Sequence, residues 1–546
     1  MKRYIGYIIE SAEARIEDFL KNRVTSPESN FFGGLPDDIL NVKPTIYGIA
    51  TATAVYLCRD SRFYGDGELY RAICCALDFA AANQRPSGRF DYPVCNFDSA
   101  PDTAFCFKRL FDTYVLAEKY KDEADTAALR EKCLKILHLA AEGISRGGFH
   151  TPNHRWAIAS ALCGASNLFS DDAEFSRSLR KRADEYLAEG VDCDADGEYS
   201  ERSSGNYSAV VNRAIIGIYE ATGDASYLDY VFRNLDMLLC FIERDGVIFT
   251  ENSTRQDKGA RIYADKYFYQ YLYAATSPFV SSDLARKFDA AAHKIISDCK
   301  KRGDLAPDCL HFLMARDNML SHEFEGCGYL PSYRRFFGES GILRVMNEKY
   351  SLTVMRGSSA FLHFSVGDLK ITAKIGESLC EVRNFIPQTA ECRDGGCAVE
   401  AHVKSWYYAP RGVPTDPRDN SEREHIISAS LETRVFVTEH EDGAELHIST
   451  RGLDRVPLRF EICVPSGTRL ENETVSFSAN PSGRMILWSG YLDMTYGGRT
   501  VRLKDGFCEH EFKGHYSGEE SDGGKFTIFC NAYTPVDKTI SLTIIK

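Results

Sequence analysis

Three residues offer this sequence's clearest chemistry. Asn153 and His154 are adjacent in Gly148-Phe149-His150-Thr151-Pro152-Asn153-His154-Arg155-Trp156, and Tyr207 follows 53 residues after His154. An amide, an imidazole and a phenol together suit proton transfer beside a carboxylate. Thr151 is a good N-cap and Pro152 suits a first helical position, where its missing N–H would have been unpaired anyway. A helix therefore begins here, with Asn153 and His154 in its first turn. Free backbone N–H groups and the positive end of the helix dipole favour a bound carboxylate at that place. Tyr207 opens another helix, whose dipole would stabilise a phenolate and lower its pKa. Plainer readings stand beside these: His154 as a surface or satisfied core histidine, and Tyr207 as the first member of an apolar face.

The elements that must position these residues are helices. Apolar residues recur at steps of three and four in Ile46–Leu57, Leu69–Ala80, Thr103–Ala117, Leu129–Ala141, Trp156–Leu168 and Phe175–Leu187. They do so again in Tyr207–Tyr219, Tyr227–Ile242, Tyr263–Ala275 and Leu284–Ile296. Tyr207, Val210, Val211, Ala214, Ile215 and Ile218 form one face, which Gly223 closes as a C-terminal cap. In a series of antiparallel helical hairpins, every second helix points the same way. The openings at Asn96–Asp102, Thr151, Glu201–Tyr207 and Glu251–Asp257 should therefore meet on one rim. Arg202, Arg255 and Gln256 lie in these openings as candidate substrate contacts, the arginines alternatively pairing with Glu201 and Asp257.

After about Glu339 the period changes to two. Lys349–Met355, Phe361–Val366, Lys370–Ala373, Arg434–Thr438, Glu445–Ile448, Phe526–Phe529 and Thr539–Ile544 read as strands, with Asp442-Gly443 as a hairpin turn. The expected architecture is an (α/α) toroid over residues 1–335 and an antiparallel β-sandwich over 336–546, divided within Gly326–Gly338.

Composition bounds the partners. The chain has 546 residues, 44% hydrophobic and 26% charged, with a formal net charge of -13. That is a globular composition of more than one domain, and the negative charge argues against nucleic acid or an anionic membrane as partner. No stretch has the roughly 18 unbroken apolar residues of a membrane span. The apolar start is cut by Glu10 and Glu13, so it reads as a helix and not a secretion signal. This sets a cytoplasmic expectation, although a trimmed secreted chain would look the same. The 18 cysteines include no C-x-x-C pair and read as free thiols. Asp192–Gly197 imitates a calcium loop, but its twelfth position is Ser203, so it reads as a carboxylate-rich turn. No metal or cofactor is expected.

Asn-His at a helix start, a Tyr some fifty residues later at another, and a following β-sandwich resemble the toroid-plus-sandwich polysaccharide lyases. These are the heparinase II/III-like enzymes and the related alginate lyases. The resemblance spans nearly the whole chain as architecture, and its residue-level support is Asn153, His154 and Tyr207. It implies a metal-free β-elimination on a uronic-acid-containing oligo- or polysaccharide. Asn153 would neutralise the substrate carboxylate, with Arg202 or Gln256 as helpers. His154 or an ionised Tyr207 would be the base, and Tyr207 the acid. The Gly-Ser-His-x-His-x-Asp motif of the heparinase sandwich is missing, so the implied sandwich histidine falls to His363 first and His402 second. Further substrate contacts are expected from Asp102, Trp156 and Tyr407, the last in a loop over Lys404–Arg411. The rival readings are a glycoside hydrolase on the same toroid, using two carboxylates among Asp98, Asp102, Asp196 and Glu201, and a non-catalytic carbohydrate-binding protein.

Overall fold

The computed structural model describes residues 1–325, 332–393, 395–408, 424–519 and 523–545. The chain divides into two compact units, Met1–Leu330 and Pro331–Lys546. The first half of the expected dividing stretch, residues 326–331, lies outside the described residues.

The first unit is helical. Its main helices are α1 (Lys2–Asn22), α2 (Lys43–Leu57), α3 (Gly67–Ala82), α4 (Ala100–Lys119), α5 (Ala127–Ser145), α6 (Pro152–Leu168), α7 (Ala173–Leu187), α8 (Tyr207–Thr222), α9 (Ser226–Leu239), α10 (Phe268–Ala275) and α11 (Ser282–Arg302). A short α12 (Leu310–Met314) packs on α2 and α4. Helices pair as hairpins, and α2, α4, α6 and α8 pack side by side as an inner row while α3, α5 and α7 form an outer one. The residues explain the layering. Helix α6 buries every side chain from Trp156 to Ser166, because it is covered on both flanks and behind; α7 faces solvent and buries only Leu179, Ala183 and Tyr186. Small residues let the inner helices approach. A Cβ on Gly217 of α8 would sit 2.5 Å from Ser160 Oγ of α6 and 2.6 Å from Lys108 Nζ of α4, so a larger residue at this crossing requires those side chains to move.

The second unit is a sandwich of two nine-stranded sheets. In one sheet Leu369–Leu379, Pro457–Val464 and Phe526–Tyr533 are consecutive neighbours; in the other Gly396–Tyr408, His425–His440 and Gly443–Gly452 are. Val354, Phe364, Ile375, Val399, Val437, Leu446, Phe460 and Ile528 pack between them, each strand supplying alternate residues. His440 pairs with Gly443 across the expected turn. Two expectations need correction. Arg484–Ile486 pairs in parallel with Phe526–Tyr533, so the sandwich is not wholly antiparallel. Lys404–Tyr408 is no loop: its backbone completes the strand Gly396–Tyr408, with Lys404 opposite Ser430 and Trp406 opposite Ser428. Residues 409–411 lie outside the described residues.

Candidate active site

Hydrogen bonds tie the four openings together on one rim of the helical unit. Ser99 caps α4 by accepting from the Asp102 N–H, and the Tyr207 N–H at the start of α8 donates to Ser203 Oγ. Asp257 Oδ1 accepts from Ser203 and Ser253 at 2.9 and 2.6 Å, and Asp257 Oδ2 accepts from the Gly205 N–H at 3.0 Å. The Thr254 hydroxyl donates to the Glu201 carbonyl at 2.9 Å, and Asn96 Nδ2 lies 3.2 Å from His150 Nε2. Residues from openings about fifty positions apart thus share one wall, as the alternation of helix direction requires.

At the start of α6 the structure differs from the expectation for Asn153. Thr151 stands at the N-cap position as expected, but its side chain makes no capping bond to the backbone; its hydroxyl instead accepts from Asn153 Nδ2 at 3.0 Å. Glu201 takes the rest. It accepts from the Asn153 backbone N–H at 3.0 Å and from Asn153 Nδ2 at 2.9 Å to each carboxylate oxygen. The helix terminus has captured a protein carboxylate, so both hydrogens of the Asn153 amide are engaged. Asn153 Oδ1, buried, has no hydrogen-bond partner. As placed, Asn153 cannot donate to a substrate carboxylate. Burial pushes the Glu201 pKa up, against Asn153 hydrogen bonds and the charge of Arg255, which favour the ionised form.

His154 is half-buried. Its ring meets Phe105 edge-on at 5.9 Å between centroids and His150 at 6.2 Å. Burial pushes its pKa down to about 4; Asp102 opposes this, while His150, Lys43 and Arg255 add to it. At neutral pH it is an uncharged imidazole, able to accept a proton. Tyr207 is also half-buried, and its hydroxyl donates to Gln256 Oε1 at 3.3 Å. Arg255 joins Tyr207 to Glu201: its guanidinium lies 5.1 Å from the Tyr207 ring centroid and its Nε 3.5 Å from Glu201.

The other sequence candidates fall as follows. Asp102 is buried and salt-bridged to Lys43 at 2.8 Å, so its carboxylate is already held. Arg202, at φ 49°, pairs with Glu198 at 3.3 Å and lines a separate crevice with Asn234 and Asn252; it does not join Arg255. Trp156 is no sugar platform, because it is 0% exposed and its indole N–H donates to Asp192 at 2.5 Å. That indole and Arg155 occupy Asp192, the first residue of the calcium-like loop. In the sandwich unit, His363 is buried on Leu362–Val366, opposite Thr353 and Thr372. His402 and Tyr407 are exposed on Gly396–Tyr408.

Lys43 was missed by the sequence reading. It opens α2, salt-bridges Asp102, and lies over the Phe105 ring at 4.9 Å. One more backward step of two helices would have found it. Inward of the rim lies a cavity of about 510 Å³, bordered by Phe105 and Asn206 and walled by Tyr47, Lys108, Arg213 and Lys266 among others. Two groups among the described residues bring three possible metal-ligand atoms together, Asp265/Cys299/Asp304 and Glu461/His515/Glu519. Arg302 pairs with both carboxylates of the first, and Arg459 with Glu519 of the second.

No protein-family model matches the chain, and no curated protein sequence does. Solved structures do. A Paenibacillus xanthan lyase matches with a TM-score of 0.59 at 11% identity, over 99% of this chain and 57% of that one. The chain thus spans under two thirds of that enzyme's length. A Streptomyces coelicolor A3 chondroitin AC lyase, in complex with chondroitin sulphate, matches at 0.57 and 12% identity, over 100% of this chain and 80% of that one. A heparinase III matches at 0.55 and 11%, over 98% and 84%. Identities this low speak for architecture alone: the chain has the helical-toroid-plus-β-sandwich fold seen in these polysaccharide lyases.

Proposed function

We propose that this chain is a lyase that cleaves a uronic-acid-containing glycan by β-elimination. One observation carries the reading: an uncharged imidazole, His154, and a phenol, Tyr207, stand on the same rim as Arg255, and their neighbours Phe105 and Asn206 border a sugar-sized cavity. The C5 proton passes to an imidazole nitrogen of His154. Its electron pair forms the C4=C5 double bond as the C4–O bond breaks, and the leaving oxygen takes the Tyr207 proton. Charge on the substrate carboxylate is spread by Arg255 and the free amide hydrogens of Gln256, in the manner of an oxyanion hole. Glu201 and Asn153 act at one remove, holding Arg255 and the start of α6. The shared fold of the xanthan, chondroitin and heparin lyases supports the assignment. Hydrolysis is the weaker reading because three of its four candidate carboxylates are already engaged: Asp98 by Arg89, Asp102 by Lys43 and Glu201 by Asn153.

The test is ultraviolet absorbance with a panel of uronate glycans. Elimination creates a C=C bond conjugated to the carboxylate; hydrolysis of a saturated glycan creates none. If the panel is cut without a new chromophore, or is not cut at all, the reading falls. Because His154 works as the neutral base, the acid limb of kcat/KM should lie near its pKa of about 4 and not near the ordinary 6.5. A pH–rate profile reads this directly.

A further inference from the structure

The cavity behind the mouth holds charge that the elimination does not use. From Phe105, one turn along α4 brings Lys108 and Arg109, and a second brings Asp112, a descent of about 10 Å. Along α8 the wall runs through Ala209, Val210 and Arg213. The floor is closed by ion pairs: Arg213 with Asp112, and Arg316 with Glu220 beyond it. A second cavity, of about 370 Å³ and lined by Tyr219, Tyr273 and Arg316 among others, shares no lining residue with the first. The upper cavity is a pit walled by α4, α8 and residues within 263–270.

Its carboxylates are answered and two of its ammonium groups are not. Asp265 is held by Arg302 at 2.8 and 2.9 Å, and Asp308 accepts from Thr51 at 2.8 Å with Arg109 at 4.0 Å. Arg213 pairs with Asp112. Lys108 Nζ makes no hydrogen bond or ion pair among the described residues; it packs against Gly217 of α8 and lies 5.7 Å from the Phe111 ring centroid. Lys266 Nζ donates to a neutral partner, Asn206 Oδ1, at 2.9 Å. Burial pushes both lysine pKa values down. The charges of Asp112 and Asp257 reach these lysines only from a distance, with no carboxylate in salt-bridge contact among the described residues, so an anion brought into the pit gains charge-assisted hydrogen bonds from both. Tyr47, Ala157, Ala209, Val210 and Tyr269 supply apolar wall for the flat face of a sugar ring.

We propose that the pit is a subsite for an acidic sugar, with Lys108 and Lys266 binding its carboxylate or sulfate. The sugar identity of the ligand rests on the lyase reading above. The test is calorimetric titration of the full chain with sodium glucuronate, glucose 6-sulfate and glucose. At least one of the two acids should bind roughly tenfold or more tightly than glucose, as expected for charge-assisted hydrogen bonds. The tighter acid identifies carboxylate or sulfate as the group recognised. Lys108→Met and Lys266→Met should each weaken that acid by a similar factor and leave glucose unchanged; on a cleaved glycan, KM should rise far more than kcat falls. Should Lys108→Met fail to fold, judged by its melting curve, Lys266→Met carries the test alone. Equal binding of acids and glucose overturns the proposal, as do folded variants that bind the acid like the wild type. Binding is read without turnover. Lysine-dependent binding with no chromophore on any glycan keeps the pit and removes the lyase; the chromophore with lysine-independent binding does the reverse.

Discussion

Burial shifts both His154 in the helical unit and Glu377 in the sandwich toward their neutral forms, and only one of them stands on an open rim beside other polar groups. Glu377 is 0% exposed, and its only described hydrogen bond comes from Thr433 in the opposite sheet. Its Oε2 has no partner, and burial pushes its pKa up to about 7. His154 is shifted as far, but it is half open, with His150 beside it and Phe105, which borders the cavity, on its edge. A perturbed ionisation therefore marks a buried group and does not by itself mark a site. Access and a second proton-handling group make the difference.

That contrast can be broken or sharpened by substitution. The largest effect is expected at the mouth: His154→Gln and Tyr207→Phe should each lower elimination by roughly 10²–10⁴-fold, as for loss of a general base or acid, with little change in melting temperature. A fall in activity matched by a fall in stability would make them ordinary core residues. Trp156→Ala should act the other way, destabilising by about 3–5 kcal/mol in a denaturant titration because it empties a packed position between inner helices.

Glu377 gives a smaller effect with a definite sign. Its folded pKa of about 7 lies above the ordinary 4.5, so its contribution is fully present below 4.5 and is lost as pH rises through 7. Glu377→Gln should then be more stable than the parent at pH 8, by roughly 3 kcal/mol at most. The two should converge at pH 4, with elimination untouched at either pH. The smallest effect is the mirror image. The folded pKa of His154 lies below 6.5, so its contribution is present above 6.5 and is lost as pH falls towards 4. Solvent screening at a half-open ring keeps the slope shallow. His154→Gln should flatten the acid side of the stability profile and leave the alkaline side alone.

The architecture was legible because both periods are plain. Steps of three and four placed α2 through α11, and alternation placed Phe361–Val366, Arg434–Thr438 and Thr539–Ile544 among the strands. The parity of the hairpins was enough to bring Asn96, His154, Glu201 and Gln256 to one rim. What could not be read was which polar groups answer one another. Nothing in the sequence separates Arg202 from Arg255, yet one turns to Glu198 and the other to Glu201. Nor does it show that Glu201 occupies the donors of Asn153. Trp156 looked available because an aromatic beside a site motif suggests stacking; its position on an inner helix, covered on every side, decided otherwise. Such outcomes are set by rotamers and tertiary neighbours, which no local pattern encodes.

The alternation of helix direction sorts the connections of the helical unit into two classes. Those around Asn96–Asp102, Thr151, Glu201–Tyr207 and Glu251–Asp257 hold the proposed site, whereas the turns after α4, α6, α8 and α10 lie at the opposite ends of the same helices. Short insertions scanned along the chain should thus be tolerated and rejected by turns, odd connection against even, with a regularity that owes nothing to residue type.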